Sequence, residues 1–291
     1  MKKWFNILLY ISFFFFAYYL YKEDFFDLQI FNPNIPLFAI SVLLLWLGFF
    51  LSGLSWSKAL NYHSIKANIR NSVVSHGLAI FAKYIPGKIW VILGRASYIS
   101  TVTKSSLKIC SFASLKEQLI YVWLGLIISL IPMLLIYETS WFLLMVVLII
   151  LFLSFVLFSK WFHRNVITMA KRISKREIEI PIISFNDVLG IVTYVFIYWI
   201  VWMAAFYFLV VSINESAGFE VAFAFPVAVS LGVLAIFFPG GIGVREGIMV
   251  GFLSLSGIEL KEATTISIIS RFWFISGEIF IFFFALIIKR R

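Results

Sequence analysis

The sequence predicts an all-α polytopic membrane protein with about six full spans and two re-entrant hairpins of broken helix. Three observations carry that prediction. The 291 residues are 62% hydrophobic and only 13% charged, about half the charged fraction of an ordinary soluble domain. The apolar residues gather in runs of the length that crosses a bilayer, roughly 20 residues for a helix. Between these runs the charges are sorted into basic loops and acidic ones, as the positive-inside rule describes.

Residues 4–21 form the first run, behind Lys2 and Lys3. It is too long for the apolar part of a signal peptide. Tyr21-Lys22-Glu23-Asp24 follows where a small-residue cleavage site would stand, so the run reads as an uncleaved helix. Its lysines place the N-terminus in the cytoplasm. Residues 36–56 are the second span, returning to a loop with Lys58, Lys66 and Arg70. Residues 71–82 and 89–99 are each too short to cross, and Lys83-Tyr84-Ile85-Pro86-Gly87-Lys88 breaks the chain between them. Lys104 and Lys108 follow, so both ends carry the cytoplasmic signature and the segment reads as a hairpin entering from inside.

The third span is 111–137, with Lys116, Glu117 and Gln118 inside it, and the fourth is 141–158. Residues 159–184 form the most basic loop. Phe162, Val166, Met169 and Ile173 recur there at helical spacing, which fits an amphipathic helix on anionic headgroups; a merely solvated basic loop fits equally. Residues 187–213 are the fifth span. A second broken pair, 221–238 and 246–255, flanks Pro239-Gly240-Gly241, and 264–288 is the last span. Lys289-Arg290-Arg291 brings the C-terminus back inside, so a multi-pass protein of the cytoplasmic membrane with both termini cytoplasmic satisfies every loop charge.

The chain reads as one transmembrane domain of two half-repeats, 1–137 and 138–291, each ordered span, span, hairpin, span. Leu78-Ala79-Ile80-Phe81 precedes the first break and Leu234-Ala235-Ile236-Phe237 the second. Three spans per half turn the second copy upside down, so its hairpin enters from outside. Inverted repeats with broken helices at matching positions point to a transporter whose site lies near mid-membrane.

The stretch from Phe237 to Gly247 is where chemistry is expected. A Pro and several glycines end a helix, and lipid offers the freed backbone no partners. Arg245 and Glu246 each cost roughly 2.5–3.5 kcal/mol at a bilayer centre. Such a segment persists only when buried in protein or lining a wet cavity. A half-helix starting after each break points its positive end inward and favours an anion. Lys83, Lys88 and Arg95 surround the first break, Arg245 the second, and Arg271 in the last span can join them. Together they describe a site for a phosphate group; the bland alternative is that each cation snorkels to a surface or pairs with a Glu. Glu117, Glu246 and Glu278 are the intramembrane acids. Arg271 and Glu278 are two turns apart on one face, roughly 10 Å, so each needs a partner elsewhere.

Other classes are excluded or weak. Cys110 is the only cysteine, so an intrachain disulfide cannot form, and His63, His76 and His163 are scattered beyond metal-ligand spacing. The net charge of +10 lies in short loops and reports topology and anionic inner-leaflet lipid, not nucleic acid. Gly241-x-Gly243-x-x-x-Gly247 has the wrong last interval for a dinucleotide loop and no strand before it. Tyr194, Tyr198 and Trp202, at four-residue spacing, read as helix packing. Neither a cofactor nor a metal is expected.

At the two breaks the chain resembles a known family. Lys83-Tyr84-x-Pro86-Gly87-x-x-Trp90 with Arg95 downstream, and Pro239-Gly240-Gly241-x-Gly243-x-Arg245-Glu246, are similar to the lysylphosphatidylglycerol synthase transmembrane-region family. The resemblance covers the whole chain in hydropathy, with specific motif only at the breaks. It implies a flippase-like, lipid-translocating membrane domain in which those positions, with Arg271 and Glu278, line the lipid path. Bifunctional members of that family continue into a cytosolic transferase domain. This chain stops at Arg291 directly after a span, so synthesis of lysyl-lipid is not expected of it. The favoured reading is a non-enzymatic translocator of an anionic phospholipid or polyprenyl-phosphate-linked glycolipid, contacting the headgroup phosphate. The alternatives are a membrane-embedded transferase on a lipid-linked substrate and a non-transporting partner of a glycosyltransferase in a lipid-glycan pathway.

Overall fold

A computed structural model describes residues 33–84, 89–135, 141–174, 185–235, 238, 241 and 243–290. Among these the secondary structure is helical, without strands. The expected first span at 4–21 lies outside the described residues, as do 175–184 of the basic loop.

Helix α1, Ile35–Tyr62, starts where Asn34 caps the Leu37 N–H at 3.4 Å and Pro36 occupies the first turn. Both residue types suit those positions, because the first N–H groups of a helix have no internal acceptor. Helix α2, Ile69–Ala79, is capped in the same way by Asn68 and runs into a 3₁₀ turn, Ile80–Tyr84. Past the first break come α3, Ile89–Thr103, and α4, Leu107–Leu135. Helix α5, Trp141–Phe158, is apolar all round and mostly unburied, as a lipid-facing span should be. Helix α6, Lys160–Ser174, resolves the open reading of the basic loop in favour of a helix. Helix α7, Phe185–Ile213, leads through a 3₁₀ turn, Phe219–Phe223, to α8, Ala224–Leu234. Beyond the second break lie α9, Val244–Leu255, and α10, Leu260–Arg290. Five of these helices (α1, α4, α5, α7 and α10) are long and apolar enough to cross a membrane.

The core is the antiparallel pair α1 and α7. Asn34 N–H donates to the Ser212 carbonyl at 2.7 Å at one end, and Tyr62 lies against Gly190 at the other. Between those ends Gly48 makes room for the Trp202 ring, whose Nε1 donates to the Leu45 carbonyl at 3.2 Å. With lipid as solvent, close packing through small residues is what holds helices together. Gly77 of α2 sits on the α10 backbone at Ile281, and Gly125 of α4 against Ser230 of α8.

The two hairpins are laced into the spans in the same way. α2 packs on α10 while α8 packs on α4; α3 packs on α4 while α9 packs on α10. They open at opposite ends of the bundle. Arg70 and Tyr98 of the first hairpin touch Ile288 and Lys289, at the finish of α10. Phe219, entering the second, stacks on Tyr207 near the finish of α7. Asn214 there bonds Glu262 in the first turn of α10. Arg70, Lys104, Lys108, Lys289 and Arg290 thus mark one end, and Glu215, Glu220, Glu259 and Glu262 the other.

Candidate functional site

The second break is shaped by two glycines in the left-handed region, Gly241 at φ 73° and Gly243 at φ 84°. A Cβ on Gly241 would come within 2.8 Å of the Gly232 carbonyl oxygen, so only glycine lets the turn lie against α8. Gly243 opens α9, and its N–H is taken by the Glu246 Oε2 at 2.7 Å. The carboxylate therefore meets the positive helix end that the sequence reading reserved for a ligand anion. Its other oxygen accepts from Arg271 Nη1 at 3.2 Å.

The remaining charges also find partners between helices. Lys83 pairs with Glu278, which is 0% exposed, and Lys83 Nζ lies 4.9 Å over the Phe274 ring. Arg95 pairs with Glu117 at 2.7 Å, donates to the Ser114 carbonyl at 2.7 Å, and stacks over Trp56 at 4.4 Å. Ser55 Oγ donates to the second Glu117 oxygen at 3.3 Å. Of the expected pairings, Arg271 and Glu278 do look elsewhere, to Glu246 and Lys83.

Arg245 is different. It is 5% exposed, between the rings of Phe225 at 5.7 Å and Phe274 at 5.1 Å. One Nη reaches the Ser270 carbonyl and hydroxyl at 3.4 and 3.5 Å, and Nε has no acceptor. Among the described residues no carboxylate pairs with it. A buried guanidinium in that condition is short of acceptors.

Lys83, Arg95, Arg245, Arg271 and Glu278 line one cavity of about 380 Å³. Its wall also holds Glu117, Gln118, His76 and Ser52, with aliphatic side chains of α3, α4 and α8 and aromatic rings that include Phe49 and Phe274. Cations from both hairpins thus converge on one space. Trp90 is 45% exposed on α3 and lies off that wall. Gly241, Gly243 and Glu246 shape the break beside it. Tyr84 ends the 3₁₀ turn, with only its backbone described, and Pro86, Gly87, Lys88, Pro239 and Gly240 lie outside the described residues. The described residues hold no group of three His, Cys, Asp or Glu that could ligate a metal.

Gln118, Ser52, Tyr121, Tyr198 and Trp202 line the cavity without having been expected there; Glu117, expected only as an intramembrane acid, and His76, expected only as a group a transferase could use, line it too. Glu117 and Gln118 carried a signal, being polar two turns into a span. Tyr198 and Trp202 carried none, since aromatic residues at four-residue spacing are ordinary packing.

Fold and cavity define the class: an all-α, multi-pass membrane protein with an interior cavity lined by charged residues. The family model for the lysylphosphatidylglycerol synthase TM region matches residues 4–276, and the chain belongs to that family. This is the membrane part of a lipid-related family, and not its catalytic part. Among the curated proteins and the solved structures, neither comparison gives a match.

Proposed function

We propose that this protein is a flippase-like translocator, carrying an anionic lipid headgroup between leaflets through the cavity while the acyl or prenyl tails stay in the bilayer. It acts without bond-making chemistry. The observation that carries the reading is Arg245: a buried guanidinium, without a carboxylate among the described residues, on the wall of a cavity lined from both hairpins. A guanidinium matches phosphate oxygens with two parallel hydrogen bonds. The half-repeats 1–137 and 138–291 are then inverted copies, and the basic end of the bundle, with both termini, faces the cytoplasm.

The test is leaflet exchange of a labelled anionic phospholipid in liposomes, per folded molecule. Arg245→Ala is expected to reduce exchange by roughly a hundredfold, on the scale of losing one charge-assisted hydrogen-bonded contact. Arg245→Lys keeps the charge without the fork and should fall in between. Equal exchange by the parent and Arg245→Ala would remove the reading.

A further inference from the structure

The charge balance of the cavity is narrow enough to name a headgroup class, an inference that rests on the lipid-site reading above. Among the described residues four cations lie on the wall, and three have a carboxylate: Lys83 has Glu278, Arg95 has Glu117, Arg271 has Glu246. For these described residues, four positive charges less three negative leave a surplus of one, at Arg245. A headgroup with one negative charge balances it. An ammonium group would find each of these carboxylates already held by a cation, so binding it means breaking a buried pair. A second negative charge on the headgroup would likewise need a cation taken from its partner.

His76 supplies a second, uncharged preference. The Ser52 hydroxyl donates to the Phe49 carbonyl at 2.8 Å, so its one hydrogen is in use. In the 3.0 Å contact between Ser52 Oγ and His76 Nε2, the ring must therefore be the donor. In the neutral ring that assignment leaves Nδ1 as a lone-pair acceptor. Nδ1 is buried and has no partner among the described residues, on a residue of the cavity wall. Buried acceptors call for a donor, and a ligand hydroxyl is one.

We propose that the cavity selects a lipid whose headgroup is a phosphodiester of single negative charge carrying an uncharged, hydroxylated group such as glycerol or a sugar. The phosphate sits at Arg245 and a hydroxyl donates to His76. Headgroups with an ammonium or a second phosphate are rejected.

The experiment is lipid binding to the purified full chain in detergent, measured by native mass spectrometry. The probes are phosphatidylglycerol, phosphatidylmethanol, phosphatidylethanolamine, lysyl-phosphatidylglycerol and a polyprenyl diphosphate. Phosphatidylglycerol should bind most tightly, with the ammonium-bearing lipids and the diphosphate roughly tenfold or more weaker. Phosphatidylmethanol has the charge without the hydroxyl, and should be weaker by about threefold to tenfold, the worth of one hydrogen bond. His76→Phe should erase that last difference, and Glu278→Gln, which releases Lys83, should raise the diphosphate relative to phosphatidylglycerol. The parental ranking decides the charge half of the proposal even where a variant fails to fold. Binding of phosphatidylethanolamine or lysyl-phosphatidylglycerol as tight as phosphatidylglycerol overturns the selectivity and leaves the lipid site standing. Soluble glycerophosphoglycerol binding as tightly as its lipid assigns the cavity to a free phosphodiester and overturns the lipid class. Binding of none of the probes overturns both readings.

Discussion

Arg95 and Arg245 are two versions of one arrangement. Each projects from the second arm of a hairpin and donates to both the carbonyl and the hydroxyl of a serine in the span that follows, Ser114 for Arg95 and Ser270 for Arg245. Each lies against aromatic rings. One difference separates them. Glu117, one turn beyond Ser114, closes an ion pair with Arg95, whereas Trp273 stands at the corresponding place beyond Ser270. The first arginine is a finished structural unit; the second keeps hydrogen-bonding capacity in reserve. Burial alone does not make a cation a binding group, because a buried pair has already exchanged its water for a partner.

Giving Arg245 the partner that Arg95 has is the sharpest test of that contrast. Ser270→Asp places a carboxylate where Arg245 now meets a hydroxyl. Leaflet exchange is expected to fall by roughly tenfold or more, the scale of a competing charged hydrogen bond, while the protein stays folded in detergent. Unchanged exchange in a folded Ser270→Asp protein would mean that the free guanidinium is not what the cavity uses. The converse change strips Arg95. Glu117→Ala leaves a buried, uncompensated charge and should destabilise the protein by about 3–5 kcal/mol, read as a drop in thermal midpoint and yield. A loss under about 1 kcal/mol would show that Ser114 and Trp56 suffice and that the two arginines differ less than their contacts suggest.

Smaller effects probe the ground on which the comparison stands. Gly241→Ala combines a left-handed backbone with a Cβ pressed on Gly232. A loss of about 2 kcal/mol is expected from strain of this kind; thermal melts at the parental midpoint would show instead that the break tolerates rearrangement. His63, just past α1, tests the basic end. Its Nδ1 lies 2.7 Å from the Ala59 carbonyl and its Nε2 is buried without a partner. Burial is the main force lowering its pKa from 6.5 to about 4, opposed by the Ala59 hydrogen bond, with nearby Lys116 lowering it further and Asp187 raising it. The folded state thus binds fewer protons than the unfolded one between these values. Stability is complete above about pH 6.5 and declines as pH falls toward 4, by at most about 1.4 kcal/mol per pH unit. His63→Phe should flatten that part of the pH–stability curve. An equally steep curve in the variant would assign the decline to other groups.

Much of this was legible in the sequence, and the reasons divide cleanly. The hairpin breaks are local events: Pro and Gly interrupt an apolar run, and among the described residues α2 gives way to a 3₁₀ turn at Ile80–Tyr84 while α8 ends at Leu234 and α9 starts at Val244. Boundaries followed the same local logic, with α5 at the expected 141–158. The last span begins earlier than its apolar run suggests, at Leu260, because Glu262 suits a first helical turn. The pairing of charges was not local. Lys83 meets Glu278 across most of the chain, and only the packing of α2 on α10 brings them together. Sequence named the cations around the breaks; it could not say which would be left over. The open acceptor of His76 was hidden for a related reason, since it depends on how a serine in another helix spends its hydrogen.

The lacing of the hairpins has a mechanical consequence. Because α2 leans on α10 and α8 on α4, while α3 and α9 bridge to those same two helices, no cut through the bundle separates a hairpin from both of its supports. Rocking two blocks against each other would shear both contact sets at once, including the seat of Gly77 on the α10 backbone. Any opening of the cavity that keeps these contacts is therefore a bending of the short helices α2, α3, α8 and α9 where they lie on α4 and α10, not a rocking of two blocks.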